Sequence, residues 1–145
     1  MVLKEERTNV RVKPTTETFE NRMAALEGGL SAVSTSSGTA AIMMTIFALA
    51  KSGDNIVATT HVHGGTHHQL KGHLPRLGIE TKFVVGDNPN DFKKQIDSNT
   101  KCIYIESIGN PAFNVPDIET LSKVAHEAGV PLIVRPPDHS QDSER

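Results

Sequence analysis

Short runs rich in β-branched residues alternate with longer helical patterns along most of the sequence. The runs typical of strands span residues 30–37, 55–60, 80–86, 101–107 and 130–134. The helical patterns span residues 16–29, 38–53, 65–78, 89–97 and 117–129. Parallel strands need crossover connections, which are usually helices packed on the faces of the sheet. The alternation therefore predicts the α/β fold class, with a five-stranded parallel sheet and helices on both faces.

Charge and composition exclude several classes of protein. A hydrophobic content of 37% with 22% charged residues indicates a globular domain rather than a disordered chain. A net charge of −2 favours neither a nucleic acid nor a membrane as partner. The first residues lack the apolar core of a signal peptide, and the longest apolar-rich segment, 40–50, is too short to span a bilayer. The single cysteine, Cys102, is predicted to be a buried packing residue, and we expect a cytoplasmic protein.

The two ends of the sequence differ from its body. Residues 1–13 are polar and patternless, and we expect them to form an irregular N-terminal arm. Residues 136–145 hold two prolines followed by polar residues, and we expect a disordered tail. Residues 14–135 are predicted to form one α/β domain. This domain looks truncated, because no helical pattern follows the last strand to cover it.

A loop rich in small hydroxyl residues connects the first predicted strand to an apolar helix. Its residues include Ser37, Gly38 and Thr39. Ligands of open parallel sheets bind at the carboxyl ends of the strands, and a glycine-containing helix N-terminus there exposes backbone N–H groups to an anion. The loop therefore indicates either a phosphate site or only a helix cap with a glycine that the turn requires.

Histidines are concentrated in the segment TTHVHGGTHHQL, residues 59–70. A metal site needs donors that converge, but His67 and His68 are adjacent and diverge by about 100° on a helix. No Cys, Asp or Glu accompanies them at the spacing of metal ligands. We therefore expect a solvated histidine-rich helix face and no metal. His63 differs, because it stands between a strand and Gly-Gly-Thr, where a flat ring can stack on a planar ligand.

Two polar residues follow the apolar strand CIYI in the segment ESIGNP. Glu106 is the first of them, and Asn110 precedes a proline. Asn-Pro favours a turn, and an amide at a strand's carboxyl end can bond to a ligand oxygen. Asn110 is therefore a candidate ligand-binding residue, with a simple turn asparagine as the alternative.

Several of these segments together resemble the Cys/Met-metabolism family of pyridoxal-phosphate (PLP) enzymes. The segments SSGTAA, HGGTHHQLK, YIESIGNPAFNVPDI and AHEAGVPLIV match that family in order and spacing, with the greatest likeness to O-acetylhomoserine sulfhydrylases. The resemblance covers about residues 14–134. It implies an aspartate-aminotransferase-type (type I) fold for the PLP-binding domain, of which this chain resembles the front half.

The resemblance implies PLP as cofactor and roles for particular residues. Ser37, Gly38 and Thr39 fall on the loop that holds the cofactor phosphate. His63 falls where the family usually has a tyrosine stacked on the pyridine ring, and Glu106 and Asn110 fall on the motif E-x-x-x-N-P. The asparagine of that motif lies beside the phenolic oxygen of the cofactor. The implied reaction replaces the acetate of O-acetylhomoserine by sulfide and gives homocysteine.

The sequence departs from the family at the end of the last strand. Arg135 occupies the position of an aspartate that pairs with the pyridinium nitrogen, and a cation there weakens the electron sink. The motif S-x-T-K, whose lysine forms the Schiff base with PLP, lies beyond the last residue of this sequence. Because a surface lysine is a poor nucleophile at neutral pH, we expect no catalytic lysine among the residues present.

A second departure lies before the first helix. The family's motif Y-x-R-x-x-N-P-T binds the phosphate of the neighbouring subunit's cofactor. Here Thr8, Val10 and Lys13 stand where its tyrosine, arginine and asparagine are expected, and Arg11 lies one residue out of register.

Three readings of the function remain at this point. The first is a truncated sulfhydrylase-type enzyme that acts on an amino-acid substrate and is inactive as an isolated chain. The second is a non-catalytic remnant that binds PLP weakly, forms a homo-oligomer or docks on a full-length paralogue. The third is a small phosphate-binding α/β module.

Overall fold

A computed structural model describes residues 14–136 of the chain. The predicted N-terminal arm, with Thr8, Val10, Arg11 and Lys13, lies outside the described residues, as does most of the predicted tail. The described residues divide into two compact units, with the boundary between Ala41 and Ile42.

In the first unit, helix α1 spans Pro14–Leu26. Proline suits the first turn, where its missing N–H has no helical partner. The helix ends at Leu26, and Gly28 follows it with a φ of +63°, the left-handed conformation that favours glycine. Helix α2, Gly38–Leu49, begins in this unit and continues into the second.

The predicted first strand, residues 30–37, is wrong. Residues 30–35 form neither helix nor strand, and Leu30 and Val33 are exposed. A strand requires a neighbouring backbone to complete its hydrogen bonds, but the N–H of Ser34 donates to Oε1 of Glu20 at 2.7 Å instead. The described sheet therefore has four strands rather than five.

The second unit contains a parallel sheet in the order β2-β1-β3-β4. Its elements after α2 are β1 Asn55–Thr59, α3 Gly64–His68, β2 Glu80–Val84, α4 Pro89–Gln95, β3 Thr100–Glu106, α5 Ile118–Glu127 and β4 Leu132–Arg135. After α3 the chain continues through a π-helical turn, Gln69–His73, and a 3₁₀ turn, Leu74–Leu77. The four strands confirm the predicted parallel α/β sheet.

Alternate residues of the strands pack on opposite faces of the sheet. On one face, Ile56, Ala58, Cys102 and Tyr104 form a core with residues of α2 and of the turns after α3. On the other face, the core joins the strands to α4 and α5, through Val57, Ile103, Ile105, Phe92, Leu121 and Ala125. Helices therefore cover both faces, as predicted.

Local features of the sequence fix the helices on these faces. Asn88 caps α4 by accepting the N–H of Asn90, and Pro89 follows as the first helical residue. Asp117 caps α5 by accepting the N–H of Thr120 at 3.0 Å, and bonds from Thr120 lower the pKa of Asp117.

Cys102 is buried, as predicted, and burial raises the pKa of its thiol to about 12. Between residues 14 and 136, no helix combines the length and apolarity needed to cross a bilayer.

Candidate functional site

The side chain of Glu106 links two chain segments at the carboxyl end of the sheet. Glu106 ends β3, is 4% exposed, and lies opposite Arg135 of β4 in the parallel register. Its Oε2 accepts the backbone N–H of His63 at 3.0 Å, and its Oε1 accepts the hydroxyl of Thr66 at 3.1 Å. Nη1 of Arg135 donates to the same Oε1 at 3.2 Å. The carboxylate therefore holds the start of α3 against β3 and β4.

His63 is the N-cap residue of α3 and is exposed. Its Nδ1 accepts the N–H of Gly65 at 3.1 Å, so the ring caps the helix. A Cβ on Gly65 would lie 3.2 Å from Nδ1, which makes glycine the best fit for this close approach. The structure thus brings the predicted residues His63 and Glu106 together, with the backbone of His63 bound and its ring available.

Asn110 lies in a compact turn after β3, and its amide is exposed. The N–H of Gly109 donates to the carbonyl of Asn114, and the N–H of Phe113 donates to the carbonyl of Gly109, both at 2.8 Å. The Asn110–Pro111 peptide bond is cis. The predicted turn is therefore present and leaves the Asn110 amide accessible to a ligand.

Asp87, which the sequence reasoning missed, lies at the same end of the sheet. Its Oδ1 accepts the hydroxyl of Thr59 at 3.1 Å, and its Oδ2 lies 3.2 Å from Nδ1 of His61. The side-chain amide of Asn114 also donates to Oδ2. The only signal in the sequence is an acidic residue directly after a predicted strand, in the segment VVGDNP.

In the first unit, Ser37 caps helix α2. Its Oγ accepts the N–H of Ala40 at 3.1 Å, and its carbonyl accepts the N–H of Ala41 at 3.0 Å. A Cβ built on Gly38 would meet none of the described atoms within 4 Å, so the backbone there is open. The helix cap is therefore present, and a phosphate at Ser37, Gly38 and Thr39 stays a prediction.

The histidines after β1 have separate neighbours. His61 faces Asp87, the ring centroid of His67 lies 4.9 Å from that of Phe83, and the ring centroid of His68 lies 5.2 Å from that of His73. Over residues 14–136, no three His, Cys, Asp or Glu side chains are arranged to hold a metal ion.

Three buried polar atoms near the carboxyl end of β3 have no hydrogen-bond partner within residues 14–136. They are the Tyr104 hydroxyl, Ser107 Oγ and Asn114 Oδ1. Burial, with the nearby charge of Glu106, raises the pKa of Tyr104 well above its usual range, so its hydroxyl stays protonated. Buried polar atoms without partners are uncommon and indicate capacity for a ligand or water.

The described residues fit pyridoxal phosphate in part. In the first unit, the open backbone at Gly38 suits a phosphate. In the second unit, the exposed ring of His63 and the exposed amide of Asn110 suit a planar heterocycle with a polar substituent. Arg135 does not fit a protonated ring nitrogen, because its guanidinium is cationic and bonds to Glu106.

The described lysines engaged in ion pairs lie away from this edge. Lys101, near the start of β3, lies 3.6 Å from Asp54, and Lys82 lies 2.5 Å from Asp97. Lys93, Lys94 and Lys123 pair with exposed carboxylates. None of these five ammonium groups is positioned at the His63 loop.

Comparisons with known proteins agree with this geometry. A family model for Cys/Met metabolism PLP-dependent enzymes matches residues 7–136. The homocysteine synthase of Schizosaccharomyces pombe is 55% identical over 142 residues, which cover 90% of this chain and 33% of that protein. The O-acetyl-L-homoserine sulfhydrylase 1 of Thermus thermophilus is 48% identical over 124 residues, covering 85% of this chain and 30% of that protein.

A solved O-acetylhomoserine sulfhydrylase of Wolinella succinogenes has the same fold over the matched part. It superposes with a TM-score of 0.80 at 40% identity, covering 83% of this chain and 34% of that one. The predicted type I PLP-enzyme fold is thus confirmed over part of its length, and the chain spans about a third of the length of these relatives. On the match to residues 7–136, this chain belongs to the Cys/Met-metabolism family of PLP-dependent enzymes.

Proposed function

We propose that this chain supplies cofactor-binding residues of an O-acetylhomoserine sulfhydrylase-type enzyme, which replaces acetate by sulfide to give homocysteine. The observation that carries the proposal is the bonding of Glu106 to the His63 loop, because it fixes the backbone that carries an exposed aromatic residue at the carboxyl end of the sheet. Bound pyridoxal phosphate would supply an electron sink for carbanions of the amino-acid substrate. A cytoplasmic location and a homo-oligomeric assembly belong to the same proposal.

Each unit has its own part in this proposal. In the second unit, His63 stacks on the cofactor ring, Asn110 bonds to a ring substituent, and Glu106 fixes the backbone of His63. In the first unit, the N–H groups of Ser37, Gly38 and Thr39, at the start of α2, bind the phosphate.

The 145-residue chain by itself is proposed not to turn over substrate. By the family resemblance, Arg135 would put a cation where an aspartate pairs with the pyridinium nitrogen, and this cation is already paired with Glu106. The same ion pair favours a second candidate function, in which the chain binds PLP without catalysis, alone or docked on a full-length paralogue. Pure chain supplied with PLP, O-acetylhomoserine and sulfide should form no homocysteine above the protein-free control, and sustained formation would contradict this.

A pair of chimeras tests the sulfhydrylase assignment. In the first, residues 14–134 of this chain replace the matching segment of the Schizosaccharomyces pombe homocysteine synthase. The second also carries Arg135. We expect the first chimera to keep its activity within about tenfold and the second to lose 100-fold or more, because the ring nitrogen meets a cation. The assignment fails if the first chimera folds but shows neither PLP absorbance nor activity.

Two substitutions at His63 separate ring stacking from helix capping. His63→Asn keeps a side-chain acceptor for the N–H of Gly65 but removes the ring, and His63→Phe keeps a ring but removes the acceptor. Titration of the full chain with PLP should show weaker binding in His63→Asn and near-normal binding in His63→Phe. The reverse order would assign His63 to capping alone.

A further inference from the structure

We propose that Asp87 is a positioning residue that holds the turn carrying Asn110 at the carboxyl end of the sheet. This inference rests on the proposed function, because it gives Asp87 its purpose through Asn110. The hydrogen bonds of Asp87 go to Thr59, His61 and Asn114, and not to the ring of His63. Its role is to connect three loops that follow three neighbouring strands.

The contacts of Asp87 reach the loops after β1 and β3 from the loop after β2. The hydroxyl of Thr59, at the end of β1, lies 3.1 Å from Oδ1 of Asp87 and 3.0 Å from the carbonyl of Gly86, and its single proton is shared between these two acceptors. His61 adds a second contact from the same loop, with Nδ1 at 3.2 Å from Oδ2. The amide of Asn114 supplies the contact from the loop after β3.

The loop after β3 depends on side chains for its placement. Residues 107–117 form neither helix nor strand, so no continuous backbone ladder anchors them to the sheet. Within this loop, Asn114 bonds to Gly109 through its carbonyl. A Cβ on Gly109 would lie 2.2 Å from Oδ1 of Asn114, so the Asn114 side chain packs directly on the Gly109 backbone. Fixing Asn114 therefore fixes the turn in which Asn110 lies.

The chemistry of the cluster favours a carboxylate at position 87. Thr59, Asn114 and the imidazole of His61 all offer a donor to it, and a carboxylate has acceptor capacity for several donors at once. The side chains of Asp87 and His61 are 17% and 29% exposed, so water competes only in part for these bonds. An alanine would remove every acceptor, and an asparagine would place an N–H₂ group against one of the donors.

Hydrogen exchange in the full 145-residue chain tests the proposal without requiring PLP. In Asp87→Ala we expect the amides of Gly109 and Phe113, which close the turn, to exchange about tenfold faster or more. Amides of β3 should keep their rates. The matched control is Asp91→Ala, which removes an exposed carboxylate that pairs with Lys94. It should leave both sets of amides unchanged.

A reciprocal exchange of side chains separates positioning from a general loss of structure. Asp87→Asn and Asn114→Asp each break the carboxylate–amide pair, while the double variant restores it with donor and acceptor reversed. We expect both single variants to accelerate exchange in the turn and the double variant to regain part of the protection, because its asparagine at position 87 still faces the donor of His61. Unchanged exchange in Asp87→Ala, or a double variant as fast as the faster single variant, would overturn the proposal.

A PLP titration of the same variants tests whether the contacts of Asp87 affect cofactor binding. We expect Asp87→Ala to weaken PLP binding several-fold and the reciprocal double variant to recover it. If the unaltered chain binds no PLP, the proposed function fails, whereas the exchange results still decide whether Asp87 holds the turn. If PLP binds equally to all variants while exchange changes, Asp87 stabilises the turn without positioning a ligand group, and the proposal is wrong.

Discussion

The two ends of the sheet in the second unit satisfy their polar groups in different ways. At the amino end, the hydroxyl of Thr100 donates to Asn55 at 2.7 Å, and the amide of Asn55 donates to Asp97 at 2.9 Å. Lys82 completes the network at 2.5 Å from Asp97. At the carboxyl end, by contrast, Tyr104, Ser107 and Asn114 each carry a buried polar atom without a partner in the described part of the chain.

On this contrast we propose that the amino end contributes stability and that the carboxyl end binds a ligand. A saturated network rigidifies the fold, whereas buried polar atoms without partners cost free energy unless a ligand or water engages them. The loop after β3 also has a non-glycine residue in the left-handed region, because Phe113 adopts a φ of +53°. Such backbone conformations are concentrated at functional sites. Substitutions at the two ends should therefore separate stability from ligand binding.

The largest effect is expected from Glu106→Ala at the carboxyl end. The change leaves the N–H of His63 and the guanidinium of Arg135 without their buried acceptor, which should cost about 2–4 kcal/mol of unfolding free energy. Urea unfolding measures this loss. Glu119→Ala, which removes an exposed partner of Lys123, is the control and should cost less than about 0.5 kcal/mol. Equal effects of the two changes would contradict the role of Glu106.

Gly109→Ala should have the next largest effect, because the new methyl group collides with the side chain of Asn114, whose Oδ1 is buried. We expect a loss of about 1–3 kcal/mol, typical of overpacking, together with weaker PLP binding. Gly53→Ala makes a useful contrast. Its φ of +93° strains any side chain, but a Cβ there meets no described atom, so stability should fall with PLP binding unchanged.

Thr100→Val probes the amino end with a side chain of nearly the same shape. It removes the hydroxyl that bonds to Asn55 and accepts the N–H of Asp97 at 3.0 Å. We expect a loss of about 1–2 kcal/mol in urea unfolding and no change in PLP affinity. A parallel fall in PLP affinity would show that the two ends are not separable.

The smallest effect concerns pH. Lys82, with Asn55 and the backbone of Asn99, holds the pKa of Asp97 far below its ordinary value of 3.8. A lowered folded-state pKa stabilises the fold above the unfolded pKa, and this stabilisation is lost as pH falls through the folded pKa. Lys82→Met should therefore lose less stability than the original chain when the pH is lowered from about 6 to about 3. Urea midpoints at the two pH values measure the difference. An equal loss of stability in Lys82→Met and in the original chain would show that Lys82 does not lower the pKa of Asp97.

Local sequence patterns predicted most of the fold and part of the site. The continuous apolar run at residues 102–105 predicted a strand buried on both faces, and Asn110-Pro111 predicted a turn. The strand at residues 30–37 was wrong, because a β-branched run does not reveal whether a neighbouring backbone will pair with it.

The contacts that organise the carboxyl end could not be predicted from local patterns. Asp87 bonds to Thr59 and His61, which precede it by 28 and 26 positions in the sequence. Glu106 bonds to His63, which precedes it by 43 positions. Such pairings depend on the register of neighbouring strands, which the sequence does not display. The sequence shows that Arg135 departs from the family pattern. The ion pair between Arg135 and Glu106 depends on the pairing of β4 with β3, which the sequence does not show.

The most direct test of the account is hydrogen exchange of the full chain with and without PLP. The account predicts slower exchange in residues 61–66 and 107–114 when PLP is present, with unchanged exchange in residues 51–55 and 97–101. Protection confined to the amino end, or no protection at either end at saturating PLP, would contradict the assignment of ligand binding to the carboxyl end of the sheet.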